Sequence, residues 1–342
     1  MRKRIEEIAE TLVRSGQGIL AADESNNTIK KRFDSIGIEN TEYNRRSYRE
    51  LLFRTKGAMN DNISGVILFE ETLYQKAKDG TSFVDLIREA NAIPGVKADR
   101  GSFVLAGHPG EIVTEGLDGL RDRLIKYYES GAQFAKWRAV ITINDALPSL
   151  SGIKANAHAL ARYASVCQDL GIVPIVEPEV KMDSEPADHT IERCEKVTSA
   201  VLKTVFDELH DQQVLLEGII LKPNMVLPGI KCCRQSTPDE VSAHTVRVLK
   251  RYVPSAVPGI AFLSGGQSDI QATSNLAAIN AQYDMPWTVT YSYGRALQAS
   301  CLKIWGGQIE NTLNAQKTFA HRARMNGLAT LGKWDNSQEK SI

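Results

Sequence analysis

Eight short apolar or β-branched runs recur along the chain: Gly18–Ala22, Ile63–Phe69, Ile93–Ala98, Gln133–Trp137, Ile172–Val176, Gly218–Leu221, Gly259–Leu263 and Thr288–Ser292. Each has the length of a buried strand. Longer stretches with apolar residues at helical spacing lie between them, such as Leu117–Ser130 and Ala155–Leu170. Thr237-Pro238-Asp239-Glu240 is a helix start, with a Thr cap, a first-turn Pro and a Glu three residues on. It opens a helix over Glu240–Tyr252. Strand followed by helix, repeated eight times with no Pro/Gly/Ser linker, predicts an α/β fold: a single (β/α)8 TIM barrel spanning 1–342. Residues 1–17 are expected as an N-terminal helix and 335–342 as a short flexible tail. The competing pattern, a doubly wound open sheet of two domains, lacks support: no G-x-G-x-x-G follows a strand and no P-loop occurs.

Such barrels do their chemistry at the C-terminal strand ends. Here those ends are charged or glycine-rich. Run one ends in Asp23-Glu24-Ser25 and run two in Glu70-Glu71. Run three brings Lys97 and Asp99, and run four brings Lys136 and Arg138. Run five ends in Glu177-Pro178-Glu179 and run six in Lys222. Run seven ends in Ser264-Gly265-Gly266-Gln267 and run eight in Tyr293-Gly294-Arg295. A lysine closing an apolar strand is costly to charge, so its pKa falls and its amine becomes a nucleophile for carbonyls. Lys136 on a nearby strand is expected to raise the cost of protonating Lys222, and Lys222 that of Lys136. A buried Lys136–Glu179 salt bridge is compatible with that reading. Carboxylates within reach can move protons around an imine. Ser264-Gly265-Gly266 leading into a Ser268-capped helix is an anion nest, and Gly294-Arg295 adds a cation suited to phosphate.

The balance of Lys+Arg 41 against Asp+Glu 41 argues against a nucleic-acid protein held by bulk charge. No apolar run approaches the roughly 20 residues of a membrane span, and the basic start has no apolar region behind it. Five cysteines without a CxxC pair fit a reducing compartment and a cytoplasmic protein. None of the six histidines has metal-ligand spacing, so neither metal nor cofactor is expected.

The segments Leu20–Ser25, Gly65–Phe69, Phe134–Arg138, Gly171–Glu179, Leu221–Val226, Phe262–Ser268 and Ser292–Gln298 resemble class I fructose-bisphosphate aldolases, in family order to about Lys333. The resemblance implies reversible retro-aldol cleavage of fructose 1,6-bisphosphate to dihydroxyacetone phosphate and glyceraldehyde 3-phosphate, in glycolysis and gluconeogenesis. It implies that Lys222 forms the imine, that Glu177 serves carbinolamine dehydration, and that Asp23 takes the C4 hydroxyl proton. Lys136 and Glu179 match groups that tune the imine. Ser264, Gly265, Gly294 and Arg295 resemble the site for the dihydroxyacetone-phosphate end; Ser25, Lys97 and Arg138 resemble contacts to the other phosphate. A cytosolic homotetramer is implied. Two departures stand out. The chain ends without the terminal tyrosine of many members, for which slow enamine protonation is the expectation. Asn26-Asn27-Thr28 replaces the usual Thr-Gly-Ser/Thr. Fructose 1-phosphate and sedoheptulose bisphosphate remain open as substrates, and a scaffold that binds polyanions such as actin through its basic mouth remains the reading from a different class.

Overall fold

The computed structural model describes residues 2–340. Its strands are β1 (Gly18–Ala22), β2 (Ile63–Leu68), β3 (Ile93–Lys97), β4 (Ser102–Val104), β5 (Ile112–Thr114), β6 (Phe134–Ile141), β7 (Val173–Val180), β8 (Ile220–Leu221), β9 (Gly259–Phe262) and β10 (Thr288–Tyr293). Eight of them form a closed parallel barrel in the order β1-β2-β3-β6-β7-β8-β9-β10, with β10 paired back onto β1. The expected barrel is therefore present, and the eight apolar runs supply its staves. Several boundaries differ. β6 and β7 continue to Ile141 and Val180, beyond the apolar runs: their backbone ladder runs on through Arg138 opposite Glu177 and Val140 opposite Glu179. Leu216–Gly218, which includes the first residue of run six, is a 3₁₀ turn, and only Ile220–Leu221 is strand.

Period two explains which side chains reach the mouth. On β7, Val173 and Ile175 pack in the barrel interior, so Glu177 and Glu179 point the same way; Val176 and Val180 pack outward against helices. On β6, Phe134 is interior, followed by Lys136 and Arg138, while Ala135, Trp137 and Ala139 face outward. On β8, Ile220 is interior and Lys222 lies two residues on. On β1, Ile19 and Ala21 are interior and Asp23 follows. Each reactive group thus stands on an apolar layer contributed by its own strand.

The bottom of the barrel is closed by α1 (Arg2–Leu12). Its Ile5, Ile8, Ala9 and Leu12, with Val13 just beyond it, join Ile19, Ile67, Phe134, Ile175, Ile220 and Ala261 in one buried cluster. Gly65 leaves room for Leu12: a methyl group there would fall 2.6 Å from Leu12 Cδ2. The helices outside are fixed by local signals. Helix Pro238–Tyr252 begins two residues earlier than expected, at its proline, and has the full capping box: Thr237 Oγ1 accepts from Glu240 N at 3.3 Å, and Glu240 Oε2 accepts from Thr237 N at 2.9 Å. The other two expected helices run over Leu120–Glu129 and Leu150–Asp169. β4 and β5 form an antiparallel hairpin that no expectation covered. Of the tail, residues 336–340 form a 3₁₀ turn whose Glu339 pairs with Arg322 and accepts from Trp334 Nε1 at 2.9 Å; 341 and 342 lie outside the described residues. Among the described residues no helix is long and apolar enough to cross a membrane.

Candidate active site

The C-terminal ends of the strands enclose a cavity of about 610 Å³. Asp23, Ser25, Lys97, Lys136, Arg138, Glu177, Glu179, Lys222, Ser264, Gly265, Gly294 and Arg295 all line it. Gly266 does not; it sits behind the wall, against Met182, Asp183 and Ile230. At the floor, four groups form one chain. Asp23 Oδ2 lies 2.7 Å from Lys136 Nζ, Lys136 Nζ lies 3.2 Å from Glu177 Oε2, and Glu177 Oε1 lies 3.3 Å from Lys222 Nζ. Both lysines and Glu177 are buried, and Asp23 nearly so.

This pairing corrects the expected Lys136–Glu179 bridge. Glu179 pairs with Arg138, and Lys136 is taken by Asp23 and Glu177. The reason is strand register. Lys136 lies opposite Ile175 and Arg138 opposite Glu177, so Glu179 stands higher in the mouth, within reach of the longer arginine.

Electrostatics separate the two lysines. Burial pushes the pKa of Lys222 down; Glu177 opposes this, Lys136 adds to it, and the net shift is downward. Burial also pushes Lys136 down, but Asp23, Glu177 and Asp99 outweigh it and raise its pKa. A net downward shift is therefore found for Lys222 only; at Lys136 the surrounding anions dominate. Burial pushes Asp23 up, and Lys136, Lys222 and Lys97 more than reverse it. Glu177 follows the same course, with Lys136, Lys222 and Arg138 holding it below the usual carboxylate range. The floor thus carries an amine biased toward neutrality beside carboxylates biased toward charge.

The rim is cationic. Lys97 is tied to Asp99. Arg295 donates to the Gly265 carbonyl. Gly265 has φ +56°, a left-handed turn that glycine adopts without strain. Sequence reasoning gave no role to several wall residues. Glu24 is buried between Arg32 and Arg49 and fixes the Arg32 guanidinium near Gly294. Arg32 itself lines the cavity, but it sits in a helix ten residues past the end of β1, where charge alone gives no signal. Ser292 Oγ lines the wall and is buried without a hydrogen-bond partner; being inside run eight, it read as an ordinary strand residue. Phe103 of the hairpin also reaches the mouth.

Barrel and cavity together define an enzyme of the (β/α)8 class with two buried lysines at its floor and a cationic rim. The sequence profile described as "Fructose-bisphosphate aldolase class-I" matches residues 4–342. The chain is similar to a probable fructose-bisphosphate aldolase class 1 of Xanthomonas campestris, 53% identical over 334 residues, covering 96% of this chain and 99% of that one. It is 56% identical over 318 residues to fructose-bisphosphate aldolase 4, cytosolic, of Arabidopsis thaliana, covering 93% of this chain and 80% of that one. The crystal structure of fructose-bisphosphate aldolase from Plasmodium falciparum, in complex with TRAP and a small-molecule inhibitor, superposes with a TM-score of 0.94 at 50% identity, covering 98% of this chain and 96% of that one. The chain belongs to the class I fructose-bisphosphate aldolase family. It is a lyase of the metal-independent class, and its reaction is the reversible cleavage of fructose 1,6-bisphosphate into two triose phosphates.

Proposed function

We propose that Lys222 is the amine through which this cleavage proceeds. Its neutral Nζ attacks the C2 carbonyl of the ketose; Glu177, ionised at rest, carries the proton of the attacking nitrogen to the new hydroxyl, and with one further proton taken up from solvent it protonates that hydroxyl as water leaves. Asp23 takes the proton of the C4 hydroxyl. The C3–C4 bond then breaks, its electron pair passes into the protonated imine as an enamine, and the aldehyde triose leaves. Protonation of the enamine at C3 and hydrolysis release dihydroxyacetone phosphate and restore the amine. Lys136, charged throughout, stabilises the anions of Asp23 and Glu177 while disfavouring charge on Lys222. The observation that carries this reading is the continuous Asp23–Lys136–Glu177–Lys222 chain.

Two phosphate ends fit the rim. Ser264, Gly265, Gly294 and Arg295 suit the dihydroxyacetone-phosphate end, and Ser25, Lys97 and Arg138 the other. Borohydride reduction in the presence of dihydroxyacetone phosphate, followed by peptide mass spectrometry, tests the mechanism. The expected adduct is on Lys222; an adduct on Lys136 alone, or none, would overturn the assignment. We also infer a homotetramer in the cytosol, consistent with the cytosolic plant relative. Sedimentation is expected to give about four times the chain mass of 37.7 kDa.

A further inference from the structure

Arg295 is the cation of the dihydroxyacetone-phosphate end, yet its guanidinium already has two acceptors within the protein. One is the Gly265 carbonyl, and the other is Asp183 Oδ2 at 3.6 Å. Asp183 follows β7 and lies outside the catalytic chain. It is partly buried, and its second oxygen is held by Lys181 Nζ at 3.2 Å. Burial pushes its pKa up, but Lys181 and Arg295 more than offset this, so it is ionised at neutral pH.

The backbone on either side of the carboxylate is held in place. Its loop is stitched to residues 229–231: Ile230 N donates to Met182 O at 3.1 Å, Lys231 N to Ala187 O at 2.8 Å, and Gly229 N to His189 O at 2.8 Å. Gly266 faces it: an added methyl group there would lie 3.4 Å from Asp183 Cβ. A negative charge paired to Lys181 and Arg295 thus stands beside the loop proposed to receive a phosphate. It draws on the same guanidinium that the phosphate needs.

We propose that Asp183 is a positioning residue that holds Arg295 against the 264–266 loop and so weakens the enzyme's grip on the dihydroxyacetone-phosphate end. The proposal rests on the reading of Ser264, Gly265, Gly294 and Arg295 as a phosphate site. A phosphate held equally in ground and transition states adds nothing to the chemical step, so the weakening falls on KM.

The test measures KM and kcat for fructose 1,6-bisphosphate, and the inhibition constant of inorganic phosphate, in the intact enzyme. The variants are Asp183→Asn, Asp183→Ala, Arg295→Ala, and Asp183→Asn combined with Arg295→Ala. Both Asp183 variants are expected to lower KM and the phosphate inhibition constant by about fivefold, a size typical of a partly exposed charge pair, with the change in KM rather than kcat. In the Arg295→Ala background, Asp183→Asn is expected to change neither. Unchanged or higher constants in both Asp183 variants overturn the proposal, as does a gain that survives without Arg295. If Arg295→Ala itself leaves phosphate inhibition unaltered, the phosphate-site reading fails instead.

Discussion

Lys136 and Lys222 hang on opposite oxygens of one carboxylate, with Glu177 Oε2 3.2 Å from the first and Oε1 3.3 Å from the second. They titrate in opposite directions because Lys136 has a second anion, Asp23, at 2.7 Å. Lys136→Met removes a cation near Lys222 and leaves Glu177 to that amine alone. Both changes favour the ammonium form, so the Lys222 pKa is expected to rise. Trapping of dihydroxyacetone phosphate by borohydride at neutral pH should slow, and recover as pH is raised. A pH profile unchanged from wild type would remove Lys136 from the tuning of the amine.

Glu177→Gln acts in the other direction. Losing the anion beside Lys222 drives its pKa further down, so the amine stays neutral at lower pH. Overall turnover should still fall by roughly 10²–10⁴-fold, the usual worth of a general acid–base group. Lys222→Ala should cost at least about 10⁴-fold. Steady-state kinetics over pH 5–9, with trapping as a second readout, separates loss of the proton donor from loss of the nucleophile.

Asp23 also couples stability to pH. Its folded-state pKa lies below the ordinary value, so the stabilisation it confers is complete above about pH 4 and is lost as pH falls toward the folded value. Asp23→Asn lacks this term. Its urea midpoint should therefore decline less than that of wild type between about pH 5 and pH 3. Parallel curves would mean that Asp23 is no better stabilised in the fold than in the unfolded chain.

At the opposite end, Leu12→Ala opens a void beneath β2. Leu12 is fully buried and fills the space that Gly65 leaves. A loss of about 2–5 kcal/mol is expected, the range for Leu→Ala in a packed core. Turnover at 25 °C should remain near wild type, because the catalytic groups stand at the other end of the strands. Denaturant unfolding alongside a standard assay checks both halves of this expectation.

The barrel was legible because each stave is a short apolar run, and the site because charged residues close those runs. Lys222, Glu177 and Asp23 could be found this way, since a charge directly after buried strand is conspicuous. Partners were harder. Which carboxylate Lys136 meets depends on the stagger between neighbouring staves, and no local pattern carries that. Arg32 was invisible for a related reason: it reaches the mouth from a helix, through a clamp by Glu24 that exists only once the chain is folded. The hairpin of β4 and β5 went unseen because Ser102–Val104 and Ile112–Thr114 are three-residue strands, too short for alternation to register. The Thr237 cap was fully legible because every atom of a capping box comes from four consecutive residues.

The α1 plug has a consequence for the order of assembly. Its apolar face meets Ile175, Ile220 and Ala261, which come from staves made from the middle of the chain onward. α1 therefore cannot be fully seated until those later staves are in place. Contacts so distant in sequence carry a large closure entropy and form slowly. Until they form, Ile5, Ile8 and Leu12 lack part of the apolar floor that buries them.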